Sequence, residues 1–215
     1  STNITKPTEM KRGVSGTISS SLTAPVTTWP SVVSVNGSVA WSPELSKAFC
    51  ASASVVKYSS DLVTWGTAAA PPSACTVAFW SSPLKTGFTA NQSGGIHASQ
   101  DLDTWSQVEN FGSAYVWKSF IEMPDGRVGL IADRGFSAFS FDGEEWSVSG
   151  LSNIDELTLT GAAIFGDYIY VIGTDSNNSP KVYKSIDGQT YTPVTISYTT
   201  NTYLGAIKVV DGVLY

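Results

Sequence analysis

The sequence has 215 residues and a formal net charge of −6, with 14% charged and 12% aromatic residues. Only three arginines occur, which argues against the cationic surface that nucleic acid requires, and no apolar run reaches the roughly 18 residues that cross a bilayer. The many Ser, Thr, Gly and aromatic residues are typical of short strands and turns, so we expect an all-β protein that binds no nucleic acid and inserts into no membrane.

The chain begins with a polar stretch, STNITKPTEMKRG, which we interpret as an N-terminal arm of residues 1–13. It carries basic residues but lacks the apolar segment of a secretory signal, although a signal removed earlier would leave the same pattern. We expect the remaining residues, 14–215, to form one domain, because a chain of this length can bury a conventional hydrophobic core.

A seven-residue box recurs four times along this domain, as SSDLVTW, SQDLDTW, SFDGEEW and SIDGQTY. Its aspartates are 40, 41 and 45 residues apart, and periods of this size indicate a repeat architecture. Each aspartate follows a serine by two positions and precedes an aromatic residue by four. The aspartates are Asp61, Asp101, Asp142 and Asp187, and the aromatic residues are Trp65, Trp105, Trp146 and Tyr191.

The residue types of the box are those of a hairpin turn. An aspartate carboxylate accepts hydrogen bonds from the backbone N–H groups just ahead of it, and the serine hydroxyl supports the same loop. Gly143 and Gly188 follow the aspartate in two copies and tolerate a positive φ, whereas Leu62 and Leu102 should resist it, so we expect those two turns to differ locally. The aromatic residue then packs its ring against the returning strand.

Apolar segments around each box supply four short strands per repeat, which is the strand count of a propeller blade. TAPVTTW, residues 23–29, resembles a degenerate fifth box without the first half of a blade, and LGAIKVVDGVLY, residues 204–215, resembles a first half without a second. We therefore predict a five-bladed β-propeller with four-stranded antiparallel blades, closed by a blade that both terminal segments share. If the natural chain continues past Tyr215, extra blades are the alternative.

These boxes resemble the Asp-box, or BNR, repeats of sialidase-like propellers, whose pattern is Ser-x-Asp-x-Gly-x-x-Trp. The resemblance covers about Thr17 to Tyr215, but the aromatic residue here is one position closer to the aspartate, and glycine follows the aspartate in only two copies. In that family the boxes lie at blade peripheries, away from catalysis. The resemblance therefore implies that the four aspartates and their aromatic partners are structural.

The resemblance also bears on enzymatic activity. A sialidase binds the substrate carboxylate with three arginines, but Arg12 lies in the arm and Arg127 and Arg134 lie on one predicted blade, so we expect no such triad and no enzyme. Glu122 occupies a column that Trp41, Trp80 and Phe165 fill in the sibling blades, so it either lines a pocket or marks an exposed strand end.

Few other side chains suggest a site. Trp80, Tyr115 and Trp117 are candidates for an exposed aromatic platform that binds sugar or protein, with core packing as the alternative. We expect no metal and no cofactor: the single histidine, His97, is interpreted as a surface strand residue, and Cys50 and Cys75 form either one disulfide or two half-buried thiols.

The composition and the resemblance together favour a non-enzymatic structural or binding propeller of a virion, such as a bacteriophage tail, fibre or decoration component. A Ser/Thr-rich, charge-poor surface without a visible export signal fits a protein released by lysis, and compact Asp-box variants resemble those of phage structural proteins. The expected location is the virion, within an oligomeric assembly that contacts other virion proteins or a host-surface glycan or protein. The alternatives are a secreted sialidase-like glycan-processing enzyme or carbohydrate-binding propeller, and a cellular assembly scaffold.

Overall fold

The computed structural model describes residues 38–52, 55–69, 72, 74–113, 115–133, 136–150, 154, 157–197, 207, 209–210 and 212–214. All of them belong to a compact unit that comprises residues 35–215. The predicted arm, residues 1–13, and the degenerate box, residues 23–29, lie outside the described residues.

Four four-stranded sheets follow one another along the chain, each an antiparallel meander. The first contains β1 (Ser38–Ser42), β2 (Lys47–Ala51), β3 (Val56–Ser59) and β4 (Gly66–Thr67). The second contains β5 (Cys75–Ser81), β6 (Thr86–Asn91), β7 (Gly95–Ser99) and β8 (Ser106–Asn110). The third contains β9 (Trp117–Glu122), β10 (Val128–Ala132), β11 (Phe136–Ser140) and β12 (Ser147–Gly150). The fourth contains β13 (Thr158–Phe165), β14 (Tyr168–Thr174), β15 (Pro180–Ser185) and β16 (Thr192–Val194), and a hairpin of β17 (Val209–Val210) and β18 (Val213–Leu214) follows it.

The second strands of the sheets lie deepest. Every residue of β6 and of β10 is buried, including one glycine in each strand. The fourth strands are polar and more exposed: β8 reads SQVEN, and β16 reads TPV. A strand buried along its whole length needs neighbours on both faces, so the sheets must stack against one another.

The sheets stand side by side through their first strands. Strand β1 contacts β5, β5 contacts β9, β9 contacts β13, and β13 contacts β17. Two of these seams carry the same hydrogen bond, from the Ser38 hydroxyl to the Ala78 carbonyl and from the Ser119 hydroxyl to the Ala162 carbonyl, both at 3.3 Å. The C-terminal hairpin therefore begins a further sheet in the same series.

The all-β prediction, with four-stranded antiparallel sheets, is confirmed. Among the described residues there is no helix with the length and hydropathy needed to cross a bilayer. The part of the prediction that concerns ring closure depends on residues 17–35 and 204–215, most of which lie outside the described residues.

Candidate functional site

We call residues 59–65, 99–105, 140–146 and 185–191 the box turns; each connects the third and fourth strands of its sheet. In the second of them, Asp101 Oδ1 accepts hydrogen bonds from the Ser99 hydroxyl at 3.0 Å and from the backbone N–H groups of Asp103 and Thr104 at 2.8 and 2.7 Å. The equivalent three bonds occur in the other box turns. One carboxylate oxygen thus closes each turn, as the sequence predicted.

The residue after the aspartate has a positive φ in every box turn. The angle is 82° at Gly143 and 76° at Gly188, but also 62° at Leu62 and 67° at Leu102. The expectation that the two leucine turns differ locally is therefore wrong. In all four turns the N–H of this residue donates to the serine hydroxyl oxygen, at 2.8 to 2.9 Å, and this bond holds the leucines in a conformation that they otherwise avoid.

The box carboxylates are ionised acceptors. Hydrogen bonds from the backbone of Thr64 and Val63 lower the pKa of Asp61 to about 2. At Asp187 desolvation acts to raise the pKa, but hydrogen bonds from Thr190, Gln189 and Ser185 outweigh it and lower the pKa. Backbone hydrogen bonds also lower the pKa of Asp101 and of Asp142. A carboxylate in this state donates no proton, which fits the structural role expected for these aspartates.

Box turns also join neighbouring sheets. The aromatic residue of a box turn packs against a phenylalanine of the preceding sheet, and ring centroids lie 5.7 and 5.8 Å apart at the two seams that a tryptophan forms. The pairs are Trp105 with Phe49 and Trp146 with Phe88, and Tyr191 of the fourth box turn lies in the same buried cluster as Phe139 of the third sheet. Trp65, in the first box turn, is half-buried.

The ends of the first strands form a second region of interest. The register places Trp41, Trp80 and Glu122 at equivalent positions, and the residue of β13 at this position is Ile164 rather than the expected Phe165. Each pairs with a second-strand residue that in turn faces the serine of the box. The predicted column is thus correct for three sheets and wrong by one residue in the fourth.

Two glutamates lie in this region, and one of them binds the Trp80 indole. Glu44, in the turn between β1 and β2, accepts a hydrogen bond from Trp80 Nε1 at 2.5 Å. Desolvation acts to raise the pKa of Glu44, but hydrogen bonds from its own backbone, from Ser82 and from Trp80 lower it overall. Burial, together with the negative charge of Glu44, raises the pKa of the half-buried Glu122. Sequence reasoning missed Glu44, because nothing in a Pro-Glu turn indicates that it reaches the next sheet.

The predicted aromatic platform is not formed. Trp80 and Trp117 are 7% and 2% exposed, so they are core residues. Trp117 stacks on the half-buried Tyr115 with centroids 5.5 Å apart, at the opposite end of β9 from Glu122. The structure therefore places Trp80 and Glu122 at the same ends of neighbouring first strands, and Trp117 at the opposite end.

His97 is buried rather than on the surface. It lies in β7 between Thr89 and Gln107, is 9% exposed, and its Nδ1 has no hydrogen-bond partner within the described part of the chain. Burial lowers its pKa. The expectation of a surface histidine is wrong because both faces of β7 are covered. Cys50 and Cys75 are buried thiols rather than a disulfide, and Cys75 Sγ donates hydrogen bonds to the Pro72 carbonyl and the Thr89 hydroxyl.

A cation lies over an aromatic ring in three of the four sheets, next to the box turn. Lys47 Nζ is 5.0 Å from the ring centroid of Tyr58, and Lys184 Nζ is 4.6 Å from that of Tyr168. In the third sheet the Arg127 guanidinium is 4.9 Å from the centroid of Phe139. Open grooves of about 470 and 270 Å³ lie beside the box turns of the third and second sheets.

No protein-family model and no curated protein matches this sequence. Solved structures match its fold. Virginiamycin B lyase from Staphylococcus aureus superposes with a TM-score of 0.67 at 10% identity, covering 82% of this chain and 60% of that chain. The GH74 xyloglucanase from Xanthomonas campestris gives 0.63 at 11% identity, covering 80% of this chain and 33% of that chain. YCF48 from Cyanidioschyzon merolae gives 0.58 at 12% identity, covering 82% of this chain and 60% of that chain.

These neighbours have β-propeller-type folds, and the chain shares that fold. At such low identity the likeness concerns the fold alone, because one propeller architecture supports many unrelated functions. The chain spans between 33% and 60% of the length of these three proteins.

Proposed function

We propose that this chain is a non-enzymatic binding propeller of a virion, in which the sheets form a rigid scaffold and the box turns present contact surfaces to other virion proteins or to a host surface. We further propose that the box turns are Asp-box turns of the sialidase-like kind, because their serine and aspartate form one repeated network around the turn backbone.

The observation that carries the proposal is the exposure of large apolar side chains at the tips of the box turns. Phe141 is 69% exposed, Ile186 66%, Val63 61% and Leu62 53%. The polar groups of the box are used within the turn, whereas these side chains add nothing to the core. Apolar side chains that form a contiguous patch mark a surface that meets a partner, and we propose that a partner covers these turn tips together.

Particle composition tests the virion role. We expect mass spectrometry of purified particles to detect this chain at a fixed ratio to the major structural proteins, and neighbouring genes to encode capsid or tail proteins. Particles without it would contradict the proposal, and recovery in a host complex instead would favour the cellular scaffold.

We also propose that residues 17–35 complete the sheet that β17 and β18 begin, so that five blades close within one chain. The contact between β13 and β17 supports a fifth sheet in the series. Spin labels on Ser31→Cys and Val213→Cys should lie about 10 Å apart, because residue 31 falls on the expected fourth strand after the degenerate box and Val213 on the second strand, two strand spacings away. Labels much farther apart would contradict closure by the chain itself.

A glycan-processing enzyme is the second candidate, and it is favoured by Glu44 and Glu122, two glutamates close enough for the charge of the first to act on the second. Their environments move the pKa of Glu44 down and that of Glu122 up, the relationship expected of a base and an acid that work as a pair. Hydrolysis of a panel of sialosides and neutral glycosides would test this candidate. If it is correct, Glu122→Gln should abolish turnover while Glu109→Gln, on the remote strand β8, leaves it unchanged; no turnover by the wild-type chain would exclude it.

A further inference from the structure

The larger groove, beside the box turn of the third sheet, has features that the fold does not require. We call it the Phe141 groove. It is open to solvent and has a volume of about 470 Å³ between the third and fourth box turns. The residues that line it include Arg127, Phe139, Phe141, Asp142, Glu145 and Val148.

The equivalent groove of the second sheet shows which lining residues of the Phe141 groove the fold requires and which it does not. The strand registers and the box alignment match Arg127, Phe139 and Phe141 with Thr86, Ala98 and Gln100. The second groove, of about 270 Å³, therefore has the same backbone frame but lacks the two aromatic rings and the cation. Arg127 and Phe141 are therefore additions in the third sheet, whereas Phe139, 7% exposed, also belongs to the core between the third and fourth sheets.

The aromatic part of the Phe141 groove is held in place before any ligand binds. The Arg127 guanidinium lies 4.9 and 5.7 Å from the ring centroids of Phe139 and Phe141. Asp125 fixes this guanidinium through Nε and Nη2, both 2.8 Å from its Oδ2. Phe141 is nevertheless 69% exposed, so much of its ring surface remains open to solvent.

Polar groups surround this exposed ring. Asp142 and Glu145 place carboxylates on the groove, and only Oδ1 of Asp142 is used by the box turn. Val148, 38% exposed, adds a second apolar contact. Because Asp125 neutralises Arg127, the groove carries net negative charge, which repels anionic ligands.

We propose that the Phe141 groove binds a neutral sugar ring, with the apolar C–H face of a pyranose stacked on Phe141 and its hydroxyl groups donating to Asp142 and Glu145. An apolar platform with a few placed polar groups, in a volume of this size, is the usual form of a small-ligand site. Planar carboxylates accept two hydrogen bonds and so match vicinal hydroxyls. This inference rests on the proposed function and extends it, because it names a host-surface glycan as the partner that the propeller contacts.

Titration of the 15N-labelled chain with methyl glycosides of glucose, galactose, mannose and N-acetylglucosamine tests this inference. At least one should shift the backbone resonances of Phe141, Glu145 and Gln189. The methyl glycoside of N-acetylneuraminic acid should not, because its carboxylate meets the carboxylates of the groove. Phe141→Ala should weaken binding about tenfold, the usual worth of one aromatic contact.

Ile186→Ala is the matched control, because Ile186 holds the same box position in the fourth sheet and is 66% exposed. It should leave the affinity unchanged, and both variants should fold because neither side chain is buried. The inference is overturned if no neutral glycoside shifts these resonances, if Ile186→Ala weakens binding equally, or if a lysine-rich peptide binds the groove and sugars do not. Since this test uses the isolated protein, failure to bind sugar and absence from virions are separate results.

Discussion

Lys184 and Tyr168 form the cation–aromatic pair of the fourth sheet with their strands exchanged relative to Lys47 and Tyr58 in the first. In the first sheet the lysine lies on the second strand and the ring on the third, whereas the fourth sheet has the ring on the second strand and the lysine on the third. The attraction depends on the distance between charge and ring and is independent of which strand carries each partner. The contact therefore persists although both residues differ.

We expect this exchange to be reproducible by substitution. Lys184→Ala should lower the free energy of unfolding by about 0.5–1 kcal/mol, the typical worth of such a pair near the surface. The double variant Tyr168→Lys, Lys184→Tyr restores the order of the first sheet and should unfold within a few tenths of a kcal/mol of the wild type. Urea denaturation measures the free energy of unfolding of the wild type, Lys184→Ala and the double variant. A double variant no more stable than Lys184→Ala would show that the pair contributes nothing.

The two leucines with positive φ should respond in opposite directions to glycine. Leu62 is 53% exposed, so Leu62→Gly relieves backbone strain with little loss of packing and should stabilise the chain by up to about 1 kcal/mol. Leu102 is fully buried against Phe49 and Trp105, so Leu102→Gly loses more than it relieves and should cost about 2 kcal/mol or more. The same sign at both sites in urea denaturation would refute this argument.

Acid should destabilise the box turns in a defined window. The pKa of Asp61 is about 2 in the folded chain, below the value of about 4 expected for an unfolded aspartate. Its contribution is therefore complete above about pH 4 and is lost as the pH falls towards about 2. In denaturation measured across this range, Asp61→Asn should have a shallower loss of stability than the wild type, and an unchanged slope would contradict the assignment.

His97 should add a second pH dependence of the same direction. Burial lowers its pKa below the ordinary value of 6.5, so the unfolded chain takes up the proton first. The native state is then favoured most above about pH 6.5 and loses stability as the pH falls below it. His97→Gln, which stays neutral, should remove this part of the profile while keeping the slope below about pH 4 that the aspartates set.

The repeat was the part of the structure that sequence predicted best. Serine, aspartate and aromatic residue recur at constant spacing because one turn imposes all three: the hydroxyl and carboxylate bind its backbone, and the ring fills the seam behind it. Local chemistry of this kind is visible in the residue order. The four antiparallel sheets follow from it, since each box turn fixes the register of two strands.

The sequence-based predictions are wrong where contacts between segments distant in the chain determine the position of a residue. Spacing places Phe165 in the column of Trp80. Spacing alone cannot show that the turn after β13 contains only Gly166 and Asp167, or that β13 has a bulge near Thr160. His97 was expected on the surface because its burial depends on both faces of β7 being covered. The role of Glu44 was equally hidden, since its partner Trp80 belongs to another sheet.

The packing of Gly143 against Phe88 has an evolutionary consequence. A side chain at Gly143 would begin 2.7 Å from the Phe88 ring, and Gly188 stands in the same relation to Phe139. The third sheet thus presents a glycine to the ring of the second sheet and a ring to the glycine of the fourth, so a duplicated unit of about 40 residues can meet its neighbours through the same kind of contact. The number of repeats in such a lineage can therefore change by whole units without a new kind of interface between sheets.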